Sequence, residues 1–63
     1  MMLVDSAIIV IRVRSEDAAE AKIKMLRSDS DYIVFAYTNS HGQEVYDLVD
    51  DGTIEFRIVV LAA

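Results

Sequence analysis

Sixty-three residues make one domain, and a chain this short buries only about 60% of its unfolded surface, so its own core is a marginal support. It has no cysteine, which excludes disulfide staples and thiolate zinc sites and leaves association between subunits as the remaining staple. Eleven acids against six bases give a net charge of −5, yet a hydrophobic fraction of 54% is far too high for a disordered acidic tail.

The opening Met1-Met2-Leu3-Val4 meets Asp5 at once, with no basic leader region or cleavage pattern. No apolar stretch exceeds six residues, which is the length of a strand and not of a membrane span. A soluble, cytoplasmic protein is expected.

Residues 7–14 are dense in β-branched side chains and read as the first strand. One face carries Ile9, Ile11 and Val13; the other carries Ile8, Val10, Arg12 and Arg14, so it begins apolar and turns basic. Ser15 is a suitable helix N-cap, followed by Glu16 and Asp17 where the helix dipole favours anions. The helix is expected to run to residue 26 or 27, with Lys24 and Arg27 near its C-terminus and Glu20 paired with Lys24. Ala19, Ile23 and Leu26 form one apolar stripe; Ala18, Ala21 and Met25 form a second, with Lys22 between them. The preferred reading is one broad core-facing arc with Lys22 snorkelling out. The alternative sends the second stripe to another protein surface.

Residues 32–38 form a second strand, residues 39–42 a turn, and residues 43–49 a third strand. Asp50-Asp51-Gly52 closes a tight hairpin into a fourth strand, residues 53–61, whose expected core set is Ile54, Phe56, Ile58 and Val60. The predicted fold is α+β, in the order β-α-β-β-β: a single, mainly antiparallel four-stranded sheet with one helix on one face. Such a helix is about 18 Å long and cannot cover both faces. Ile8, Val10, Val34, Ala36, Val59 and Leu61 are therefore assigned to a second apolar face serving as a homodimer interface.

No spacing specifies a reaction. His41 lies in a polar turn with no orienting partner or nucleophile, and Ser28, Ser30 and Ser40 lack a nucleophile-elbow context, so no enzyme is expected. Asp29 and Asp31 are spaced like the opening of a calcium loop, but the remaining oxygen ligands and the second helix are missing. With only Gly42 and Gly52 there is no phosphate-binding loop, so neither metal nor cofactor is expected. The net charge opposes direct binding to nucleic acid.

The carboxylates are the remaining candidates. Glu16, Asp17 and Glu20 lie on the helix and Asp29 and Asp31 in the connection after it. Asp47, Asp50 and Asp51 are assigned to the last hairpin, with Glu44 and Glu55 placed near it. Acids rowed along a dimer would imitate DNA phosphates and occupy the groove of a basic, DNA-binding partner. Two alternatives are a regulatory module that docks through its apolar face or an edge strand, as a polymerase inhibitor or antitoxin-like subunit does, and an oligomeric small-ligand binder lined by Tyr32, Phe35, Tyr37 and Tyr46.

The opening Ile9-Val10-Ile11-Arg12-Val13-Arg14-Ser15-Glu16-Asp17-Ala18-Ala19-Glu20-Ala21, with the small size and acidity, resembles small bacteriophage host-takeover proteins. These include RNA polymerase inhibitors and acidic DNA mimics that block nucleoid-associated proteins of the HU type. The resemblance implies binding and blocking of a host protein, and carries over no individual residue. The element order is also similar to that of the flavin-binding dodecins, from which this chain departs in lacking tryptophan and in its shorter helix.

Overall fold

The computed structural model describes residues 8–61. The opening Met1-Met2-Leu3-Val4-Asp5 and the first residue assigned to strand one, Ala7, lie outside the described residues. The order is β1 (Ile9–Val13), α1 (Glu16–Arg27), β2 (Ile33–Thr38), β3 (Glu44–Asp50) and β4 (Thr53–Val60). This is the α+β arrangement expected, though the sheet is mixed. Its spatial order is β1-β4-β3-β2, with β1 parallel to β4 and the other two pairings antiparallel. Helix α1 therefore carries the chain from one edge of the sheet to the other.

Local chemistry sets the element boundaries. The Ser15 hydroxyl accepts from the Ala18 N–H at 3.1 Å, with Glu16 and Asp17 in the first turn and Lys24 and Arg27 in the last. At the far end the Ser28 hydroxyl donates to the Met25 carbonyl at 2.6 Å, binding one of the helix's open carbonyls. Asn39 organises the β2–β3 turn by accepting from the His41 and Gln43 N–H groups at 2.9 and 3.0 Å. Asp51 and Gly52 both have positive φ, 52° and 78°, and Asp50 pairs directly with Thr53. A two-residue hairpin turn with both central residues left-handed suits Asp-Gly.

The core lies between α1 and the sheet. Ala19, Tyr32, Leu48 and Ile58 are buried there, with Ile11, Val13, Ile23, Leu26, Val34, Tyr46, Phe56 and Val60 packed around them. The Tyr32 and Phe56 rings meet edge to face, 5.7 Å between centroids. The broad helical arc is not observed. Ala19 is buried and Ile23 and Leu26 are half-buried, whereas Ala18, Ala21 and Met25 are exposed. Residues 18, 21 and 25 point away because α1 rests on β1 and β4 along a single stripe.

In β4 the expected core set does not hold at Ile54. The β3–β4 register slips at Leu48/Val49: Leu48 pairs with Phe56, but Val49 pairs with Ile54. Glu55 is the extra residue of a bulge. Ile54 consequently joins Val49 on the face away from the helix, while Phe56, Ile58 and Val60 keep the core side.

Candidate functional site

Direct cross-strand partners share a face, so the pairings define the far side of the sheet. One row runs Val10, Arg57, Asp47, Phe35 across all four strands, and a second runs Arg12, Val59, Val45, Tyr37. A third joins Ile54, Val49 and Ile33. Val45, Asp47, Val49 and Ile54 are buried, while Val10, Ile33, Phe35 and Tyr37 are between 40% and 61% exposed.

At its centre sits a polar group inside an apolar setting. Arg57 donates to Asp47 through Nε to Oδ1 at 2.8 Å and through Nη2 to Oδ2 at 3.2 Å. The Tyr37 hydroxyl adds a third donor to Oδ2 at 3.1 Å. Asp47 is only 6% exposed, and no buried side-chain N or O atom among the described residues lacks a partner. A buried carboxylate held this way is neutralised in place. Asp47 therefore does not belong with the exposed partner-binding acids: it lies mid-strand, directly opposite Arg57.

The other described carboxylates divide between the two ends of the sheet. Since α1 runs antiparallel to its flanking strands, its N-terminal acids Glu16, Asp17 and Glu20 lie towards the end where β3 begins with Glu44. Glu44 accepts from Thr38 at 3.3 Å, so it stands a strand's length from the last hairpin rather than near it. The opposite end gathers Asp29 and Asp31 before β2, Asp50 and Asp51 at the turn, and Glu55 at the bulge. Glu55 accepts from the Tyr32 hydroxyl at 3.3 Å. Among the described residues these nine acids make no salt bridge, and the expected Glu20–Lys24 pair is not formed.

The residues assigned to a dimer face are split. Val10 and Val59 lie on the far side, and Ile8 and Leu61 continue their alternation. Val34 and Ala36 pair with Leu48 and Tyr46, which places them on the helix side. Because α1 rests on β1 and β4, it leaves a groove of about 610 Å³ beside β2, floored by Val34, Ala36 and Tyr46 and walled by Glu20, Ile23, Lys24, Arg27 and Asp31. Sequence reasoning passed over Arg57 and the groove; the signal for Arg57 was a cation and an acid each interrupting the apolar alternation of adjoining strands.

All three strand-associated tyrosines are held above the usual phenol value of 10.0. For Tyr37 burial is the main cause and the Asp47 charge adds to it; for Tyr32 and Tyr46 burial leads, followed by Glu55 and Glu16 respectively. Above pH 10 the unfolded chain has released phenolic protons that the folded chain retains, so stability falls as pH rises through that range. Urea midpoints are expected to hold from neutrality to about pH 9 and decline above pH 10, with Tyr37→Phe removing part of the decline.

Among the described residues no helix is long and apolar enough to cross a membrane, and no group of three or more His, Asp or Glu side chains is placed to hold a metal ion. No family model, curated protein or solved structure matches this chain.

Proposed function

We propose that this protein works by binding: carboxylates at the two ends of a rigid sheet engage a basic, DNA-binding partner and keep nucleic acid from it. The observation that carries this reading is the sorting of charge. Among the described residues the one acid in the middle of the sheet is paired with Arg57 and hydrogen-bonded by Tyr37, while nine others stand at the ends without a salt bridge. An eight-residue strand sets those ends about 25 Å apart. A partner that neutralises phosphates would meet these two acidic ends, and opposite fields would steer the encounter.

The test is competition on a purified nucleoid protein of the HU type carrying fluorescent duplex DNA. The protein is expected to displace the DNA, with affinity falling at least tenfold between about 50 and 200 mM salt. Asp50→Asn with Asp51→Asn should weaken it several-fold, as should Glu16→Gln with Glu20→Gln at the other end. Affinity independent of salt and of these changes would refute the reading. It would favour docking through the far face, where Ile33, Phe35 and Tyr37 are exposed; Phe35→Asp would then abolish binding while the acid replacements would not.

A further inference from the structure

The two edges of the sheet differ in chemistry. β1 carries Arg12 within the strand and Arg14 just beyond it. β2, Ile33–Thr38, contains no charge, proline or glycine, and its partner register with β3 is regular throughout. It therefore lacks the devices by which edge strands usually refuse a further strand. Among the described residues no strand pairs with the outer edge of β2, whose row of backbone N–H and C=O groups an extended segment can take over from water.

The surroundings of β2 specify the segment further. Alternate side chains of an added strand would enter the groove beside Val34 and Ala36, and the others would lie along exposed Ile33, Phe35 and Tyr37. The groove wall is electrically balanced, Glu20 and Asp31 against Lys24 and Arg27, so the sign is set at the strand's ends. Exposed Asp29 and Asp50 stand at one end, and Glu44 pairs with Thr38 at the other. A second copy pairing β2 with β2 in antiparallel fashion would bring acids against acids at both ends. A strand with basic termini is complementary, and the arginines of β1 turn it away from the other edge.

We propose that β2 is the docking edge, taking an extended segment of the partner with apolar alternation in its middle and Lys or Arg at its ends. This rests on the basic-partner reading and adds to it the mode of engagement.

The probe is a capped nine-residue peptide with two arginines at each end and a five-residue core alternating valine and threonine. Addition to the full chain is expected to slow hydrogen exchange of the edge-facing amides within residues 33–38 at least tenfold. Glutamates in place of the arginines should weaken binding about tenfold or more, and Ala36→Lys should weaken it while leaving the circular dichroism unchanged. Peptide binding that slows no β2 amide overturns the docking edge and leaves the basic-partner reading intact. So does failure of the peptide when the intact nucleoid protein still binds. If neither binds, both proposals fall. Protection of β2 amides that grows with protein concentration alone would assign the edge to another copy of this chain and overturn the inference.

Discussion

Replacing Arg57 by alanine is expected to lower the unfolding free energy by about 2–4 kcal/mol. Asp47 would remain buried with its charge and lose two of its three donors, keeping only the Tyr37 hydroxyl. Removing one member of a fully buried pair costs about 3–5 kcal/mol, reduced here because the Arg57 side chain is 31% exposed and partly screened. A domain of 63 residues has a total stability of about 3–9 kcal/mol, so this single loss takes a large share. The double replacement Asp47→Leu with Arg57→Met removes both charges and should cost less than Arg57→Ala alone. Equilibrium urea unfolding of the three proteins decides it: Arg57→Ala within 0.5 kcal/mol of the parent would show that the pair does not hold the far face together.

Leu48→Ala is expected to cost about 3–4 kcal/mol, enough to leave the chain largely unfolded at 37 °C if its stability lies near the lower bound. Leu48 is fully buried in the second strand from the edge, with Val34 and Phe56 as its direct cross-strand neighbours. Truncation removes apolar contact and leaves a cavity that a sheet held on both sides cannot readily close. Met25→Ala provides the comparison, because Met25 is more than half exposed on the outer stripe of α1. It should change stability by less than about 0.5 kcal/mol. Thermal unfolding followed by circular dichroism separates the two, and similar midpoints would contradict the placement of both side chains.

The elements themselves were legible from the sequence because their signals are local. Ser15 announces the helix through a hydroxyl that reaches Ala18, and Asp51-Gly52 announces the hairpin through its tolerance of positive φ. The assignment of faces was only partly legible. Alternation separates the two sides within a strand but does not say which side of one strand matches which side of the next. Val10 and Val59 were therefore grouped correctly with each other and wrongly with Val34 and Ala36. The bulge at Glu55 added a further step: counting outward from the Asp50–Thr53 pair places Asp47 opposite Phe56, and only the extra residue brings it opposite Arg57. The acids were visible as a set, but their division between two ends depends on sheet order, a non-local property. The groove beside β2 was hidden for the same reason, since it exists only because α1 rests on the β1–β4 side.

The parallel pairing of β1 with β4 has a consequence for how the chain acquires its shape. Among the described residues β1 hydrogen-bonds to no strand but β4, the last of these strands in chain order. During synthesis, β1 and the helix after it must wait, their apolar side chains without a lasting partner, until β4 clears the ribosome. Maturation is thus expected to follow completion of β4 instead of accompanying elongation, at the slower pace set by joining distant stretches of chain.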